Sequence, residues 1–312
     1  MMVAGHRPVM LEEAIAALAL GPDDTVVDAT FGGGGHSRRI LEELGTGGRL
    51  VAVDRDPKAA ERASGLVQDP RFDFVHGAYD EVLWSMAEEG LRADAVLFDL
   101  GLSSFQVDEA GRGFSYVNEG PLDMRMDSRS GYTAAEFLNA ADAGELARVL
   151  SEYGDVPHGE ARRVTREVIR RRPLQVTTDL YEAVRAAVGW KERGGNPAKR
   201  VFQAVRVRVN DELGGLRRAL EASERLLAAG GRLVVITFHS GEDRLVKRFI
   251  SEREGRCVCP PELPVCVCGA RPVFRRGIVL RPSEEESGEN PRSASARLRS
   301  ATRTAEAPGD GV

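Results

Sequence analysis

Residues 28–40 read DATFGGGGHSRRI: an acidic side chain closing an apolar run, four consecutive glycines, and a histidine at the head of a helical pattern. Glycines let backbone N–H groups approach a ligand that a Cβ would hold away. Two phosphate-binding patterns fail on the letters. The loop G-x-x-x-x-G-K-[ST] needs a lysine after its glycines, and none follows here. The dinucleotide fingerprint G-x-G-x-x-G, begun at Gly32, needs glycine at position 37, where the chain has Ser37. A nucleoside ligand without a pyrophosphate survives both tests, and S-adenosylmethionine is the commonest such ligand on sheets that carry a loop of this kind.

Other polar residues stand where short apolar runs end. Asp54 closes RLVAVD nineteen residues beyond Gly35, near the roughly 20-residue offset at which a carboxylate accepts hydrogen bonds from ribose hydroxyls. His76-Gly77-Ala78-Tyr79 follows the third run, and Asp99 closes ADAVLFD. In an open parallel sheet, ligands bind at the carboxyl ends of strands, where the strand order reverses. The residues that end these runs therefore predict one nucleoside-sized site.

The elements that must position them are legible from residue 25 to residue 99, where apolar strand patterns (TVVD, RLVAVD, FDFVHG, ADAVLFD) alternate with helical ones. Such alternation predicts right-handed βαβ units and a parallel sheet covered by helices. From about Phe105 to about Val209 the pattern is helical, polar and arginine-rich, and GGRLVVITF (230–238) restores the strand signal. The expected organisation is one α/β domain, 1–104 and 210–304, interrupted by a helical insertion, 105–209, with a disordered tail, 305–312. Its composition, 312 residues with 42% hydrophobic content and net charge −5, suits a globular chain with a full core. No signal-peptide pattern opens it and no window approaches the ~18 apolar residues of a membrane span, so a cytoplasmic setting is expected.

The segments DATFGGGGHS, VAVDRDP, HGAYDE, DLGLSSFQVD, GRGFSY, GPLDMRMD, FQAVRVRVNDEL, ITFHSGEDRLVKRF and ENPRSASARLR occur in that order. Together they resemble the RsmH/MraW family, bacterial methyltransferases that modify the exocyclic N4 of a cytidine in the decoding region of 16S ribosomal RNA. The resemblance runs from His6 to about Arg303 and implies a Rossmann-like S-adenosylmethionine-dependent methyltransferase fold with an inserted helical domain for substrate recognition. It implies cofactor contacts at Gly34, Gly35, His36, Asp54, Tyr79, Asp99 and Gln106. The partner it implies is 16S ribosomal RNA within the small subunit, with no role for DNA or a membrane.

Methyl transfer from a sulfonium requires the protein mainly to align the acceptor lone pair and exclude water. The exocyclic amine of cytosine is a poor nucleophile because its lone pair is delocalised into the ring, so acceptors for its N–H groups favour the reacting form. Asp99 and His239, the latter in TFHS, are the candidate catalytic residues. Many amine-directed methyltransferases carry (Asn/Asp)-Pro-Pro-aromatic after the fourth strand. Asp99-Leu100-Gly101-Leu102 lacks the prolines and the aromatic, which leaves Asp99 open to holding the cofactor, the amine or both.

Charge indicates the substrate side. Between Glu160 and Arg218, fifteen Arg and Lys face seven Asp and Glu, a balance of +8 in a chain of net charge −5. A basic surface on an acidic protein suits a phosphate backbone, and Arg170, Arg171 and Arg172 are expected to contribute; the target base would have to leave its stack. Cys257, Cys259, Cys266 and Cys268 offer four thiols for zinc, though as C-x-C pairs and not the usual C-x-x-C. Two other readings are a nicotinamide oxidoreductase, opposed by Ser37, and a ribosome-assembly RNA-binding protein with a degenerate pocket, opposed by the intact Gly34, Asp54 and Asp99.

Overall fold

The computed structural model describes residues 8–189, 196–255 and 271–304. Cys257, Cys259, Cys266, Cys268 and the tail 305–312 lie outside the described residues. Two compact units divide the chain, one drawn from the segments through Gly101 and from Gly214 onward, the other Leu102–Leu213.

The first unit opens with α1 (Leu11–Leu18), β1 (Thr25–Asp28), α2 (Gly35–Glu43), β2 (Arg49–Asp54), α3 (Pro57–Ala63), β3 (Phe72–His76), α4 (Tyr79–Glu88) and β4 (Ala93–Asp99). Apart from the polar residues at or beside their ends, β1, β2 and β4 are continuous apolar runs, as parallel strands covered on both faces require, whereas the edge strand β3 carries an exposed Asp73 and buries only Phe72. Alternate residues serve opposite layers: Val27, Val51, Val96 and Phe98 pack towards Leu83 of α4, whereas Val26, Leu50, Ala95 and Leu97 pack towards Leu18, Ile40 and Ala59 of α1, α2 and α3. Asp56 caps α3 by accepting from the Lys58 N–H, with Pro57 at the first position, where its fixed φ suits a helix start.

The second unit is helical. It contains α5 (Ser104–Asp108), α6 (Ala134–Ala140), α7 (Ala143–Gly154), α8 (His158–Arg171), α9 (Thr177–Val188) and α10 (Pro197–Val209). Thr133 and Glu136 cap α6 reciprocally, Asp142 caps α7 and Asn196 caps α10. The GPLDMRMD segment is a packing element of this unit. Leu122 and Met124 are fully buried beside Leu138 and Leu146, while Asp123 pairs with Arg125 at 2.8 Å. Met124 holds a left-handed backbone, φ 59, and Asn210 clamps it: Nδ2 donates to the Met124 carbonyl and Oδ1 accepts from the Met126 N–H, both at 2.7 Å.

The chain returns to the first unit through α11 (Glu212–Leu226), then adds β5 (Leu227–Thr237), α12 (Ser240–Glu252), β6 (Phe274–Leu280), α13 (Glu284–Glu289) and β7 (Arg297–Arg303). The sheet order is β3-β2-β1-β4-β5-β7-β6. Strands β1 to β5 are parallel, and β7 runs antiparallel to both neighbours. The strands of residues 25–99 are parallel, as the alternation of patterns predicts, and the sheet as a whole is mixed because β7 inserts between β5 and β6 antiparallel to both. The order reverses between β1 and β4, the position at which an open α/β sheet presents a crevice.

Candidate active site

Asp28, Asp54 and Asp99 end β1, β2 and β4, so parallel pairing brings three carboxylates to the carboxyl ends of neighbouring strands, Asp28 pairing with Ala52 and Leu97, two residues before Asp54 and Asp99. Asp28 is completely buried. It accepts from Ser37 Oγ at 2.6 Å and from the Thr30 N–H at 3.2 Å, tying the end of β1 to the first turn of α2. Burial lifts its pKa from the ordinary 3.8 to about 6, against the lowering effect of those two hydrogen bonds. The loop between them is fixed to the sheet by backbone bonds from Ala29 to Leu97 and from Phe31 to Val53. Phe31 packs edge-on against Phe74 at 5.5 Å. Gly34, in left-handed backbone at φ 75, caps α2; a Cβ there would meet the Phe31 ring at 2.6 Å. A Cβ on Gly35 would meet Pro8 at 2.1 Å. Packing alone therefore demands glycine at both positions.

Asp54 is half-buried and holds two backbone donors: Oδ2 accepts from Gly32 at 2.7 Å and Oδ1 from Asp56 at 2.8 Å. Burial raises its pKa, opposed by those two N–H groups and by Arg62, with Asp56 adding to the rise. Each oxygen retains a second lone pair, since a carboxylate offers about four acceptor positions. Tyr79 opens α4 at the end of β3, its ring edge-on to Phe98 at 5.7 Å.

Asp99 receives its backbone geometry from Thr30, whose Oγ1 accepts the Asp99 N–H at 2.6 Å. His36 Nδ1 lies 3.5 Å from Asp99 Oδ2. Among the described residues the other oxygen, Oδ1, is buried and accepts no hydrogen bond. Burial lifts the Asp99 pKa well above the carboxylate range, reinforced by Asp28 and Glu242. A buried acceptor without a donor is costly, and this one lies at the reversal of strand order.

His239 follows β5, whose Ile236 pairs in register with Asp99. Glu242, three residues into α12, accepts from the Phe238 and His239 N–H groups at 2.8 and 3.2 Å, and its Oε1 lies 3.2 Å from His239 Nε2. Gln106 belongs to the second unit, where it is buried and caps α5 reciprocally with Ser103. The structure thus gathers Gly34, Gly35, His36, Asp54, Tyr79, Asp99 and His239 onto the strand ends of the first unit. Sequence reasoning passed over the anchoring roles of Asp28 and Thr30, which the first motif contains, and Glu242, whose signal is the three-residue capping spacing from His239.

In the second unit, α8 presents Arg162, Arg166 and Arg170 at helical intervals on its exposed side, with Ile169 exposed among them. Arg170 and Arg171 both engage Glu167. Arg172 departs from the expected phosphate role. Its guanidinium donates to the Leu138 carbonyl at 2.8 Å and the Ala141 carbonyl at 2.5 Å, satisfying carbonyls at the end of α6 that the helix leaves unpaired. Among the described residues no helix is long and apolar enough to cross a membrane.

Residues 3–304 match the MraW methylase family. Ribosomal RNA small subunit methyltransferase H of Rubrobacter xylanophilus is 75% identical over 306 residues, covering 98% of this chain and 98% of the relative. The proteins of that name from Heliobacterium modesticaldum and Thioalkalivibrio sulfidiphilus are 44% and 49% identical, each covering 96% of this chain and 99% and 98% of their own lengths.

Proposed function

We propose that this chain, which belongs to the MraW methylase family, methylates the exocyclic N4 of a cytidine in the decoding region of 16S ribosomal RNA. It is an S-adenosylmethionine-dependent ribosomal RNA methyltransferase; the base, the atom and the small subunit as substrate are the proposed part. The observation that carries the proposal is Asp99 Oδ1, a buried acceptor lacking a donor among the described residues. It stands at the end of β4, between the glycine loop and β5. An amine N–H is the donor it suits.

The residues present fit the cofactor. Asp54 keeps lone pairs for ribose hydroxyls, and the glycine loop brings backbone close to the strand ends. When bound, S-adenosylmethionine supplies an electrophilic methyl group on a sulfonium. Asp99 then does the work on the acceptor side. Its carboxylate accepts from the amine N–H, favours the positive charge that develops on nitrogen, and, with a pKa lifted by burial, is suited to take the proton that the nitrogen loses. His239, at the adjoining strand end, is proposed to face the base, held by Glu242. Gly34, Gly35, His36, Tyr79 and Gln106 are proposed cofactor contacts, and residues 105–209 a substrate-recognition insertion whose α8 arginines meet RNA phosphates.

Two measurements test this reading. Mass spectrometry of denatured purified protein should release S-adenosylmethionine or its demethylated product. Incubation with labelled donor and naked 16S RNA, immature particles or complete small subunits, followed by nuclease digestion, should yield N4-methylated cytidine. Label on carbon-5 of cytosine or on another base would refute the assignment of the amine.

A further inference from the structure

We propose that Arg62 is a positioning residue of the cofactor pocket, orienting the glycine loop and serving as counter-cation to the ribose-binding carboxylate. The inference rests on the reading of Asp54 as the ribose acceptor. Arg62 lies on α3, far in sequence from the loop, yet its Nε donates to the Gly32 carbonyl at 2.8 Å. Asp54 grips the other side of the same residue through the Gly32 N–H at 2.7 Å. Arg38, from α2, donates to the Gly33 carbonyl at 2.9 Å. Because a peptide unit is planar and trans, fixing the Gly32 carbonyl fixes the Gly33 N–H in the opposite direction. Fixing the Gly33 carbonyl does the same for the Gly34 N–H, which closes a turn onto the Phe31 carbonyl at 2.7 Å. Side chains from three elements thus set a backbone whose glycines carry no side chains to set themselves.

Charge supplies the second part. Asp54 ends β2 among other acids: Asp28 on β1 and Asp56 at the cap of α3 repel it, and His76 of β3 sits opposite in register. Arg62 is the cation that lowers the Asp54 pKa, and its guanidinium lies 3.7 Å from the buried Asp56. The arginine side chain is only 18% exposed, so solvent screens this arrangement weakly. Removing the cation raises the Asp54 pKa further, and ribose recognition by an ionised Asp54 is then lost at a higher pH than in the wild type.

Calorimetric titration with S-adenosylhomocysteine from pH 6 to 8 tests the inference. The Arg62→Gln variant should bind about ten- to a hundredfold more weakly at pH 7.5, the loss of a hydrogen bond from a charged donor, and should weaken more steeply than the wild type as pH falls. Arg62→Lys should restore the shallow pH profile with only part of the affinity, since an ammonium supplies the charge without the planar fork. Amide hydrogen exchange at Gly32 and Gly34, whose N–H groups are held by Asp54 and the Phe31 carbonyl, should quicken in Arg62→Gln. Wild type that binds while Arg62→Gln matches it in affinity, pH profile and exchange overturns the role of Arg62 alone. Equal losses at every pH in both variants reduce Arg62 to packing and also overturn it. Wild type that binds no S-adenosylhomocysteine overturns the cofactor reading beneath it.

Discussion

Asp28→Asn should stabilise the protein at neutral pH and remove part of its pH dependence. Asp28 is wholly buried, and burial lifts its pKa from 3.8 to about 6. The native state therefore holds this proton more tightly than the unfolded chain. Where the native state binds more protons, stability falls as pH rises. The contribution is full below about pH 4, declines between about pH 4 and pH 6, and is level above. At about 1.4 kcal/mol per pKa unit, ionising Asp28 costs on the order of 3 kcal/mol at pH 7. Asparagine keeps the shape: its carbonyl can accept from Thr30 and its amide can donate to Ser37 Oγ. A neutral hydrogen bond replaces one to a charged group at a loss of about 1 kcal/mol, leaving a net gain of about 2 kcal/mol. Urea midpoints of both proteins at pH 4.5 and pH 7.5, read at equal m-values, measure it. Because Asp28 also raises the Asp99 pKa, the variant's methylation rate should begin its rise at lower pH than the wild type's. Parallel stability profiles, or a variant less stable at pH 7.5, would refute the reasoning, since Asp28 would then be a stabilising anion.

Asp54→Ala removes the proposed ribose contacts together with the anchors of Gly32 and Asp56; cofactor affinity should drop at least tenfold by calorimetry, with about 1–3 kcal/mol lost from urea stability. Equal affinity would exclude Asp54 from the pocket. Arg162→Gln with Arg166→Gln should reduce the slope of log affinity for RNA against log salt by about 0.7–0.9 per phosphate contact, with cofactor affinity intact, and an unchanged slope would make that face of α8 mere solvated surface. Arg172→Ala should lower thermal stability while leaving the salt slope alone. Asp99→Asn should cut the single-turnover rate about a hundredfold or more and abolish its rise with pH while S-adenosylhomocysteine affinity changes little; a normal rate with weakened affinity would confine Asp99 to the cofactor.

Strand β3 could be read from sequence by its alternation of Phe72, Phe74 and His76 with Asp73 and Val75. Strands β1, β2 and β4 could be read because buried parallel strands are uninterrupted apolar runs, each closed here by an aspartate at the site itself. The same rule hid β6 and β7. FRRGIVL and RLRSATR carry arginines where apolar residues would signal a strand, yet Arg299 and Arg303 are buried. Arg299 bonds to Asp243 of α12 at 2.7 Å, a partner fifty-six residues away. The site divides along the same line. Asp54 and Asp99 follow from strand ends, a property of local spacing, whereas Arg62, Arg38 and Glu242 matter through partners that only folding supplies.

The basic segment shows how far a charge count carries. A balance of +8 between Glu160 and Arg218 treats every cation alike, but geometry sorts them. Arg206 is bound to Glu212, Arg208 to Glu145 and Arg218 to Asp80, and Arg172 is spent on two helix carbonyls. Arg162 and Arg166 are exposed, with no carboxylate at ion-pair distance among the described residues. A cation already paired contributes little to releasing counterions from RNA, because its own partner competes with the phosphate. The salt slope of RNA binding should therefore follow the unpaired arginines on one face of α8 and fall well short of the segment's full complement of positive charge.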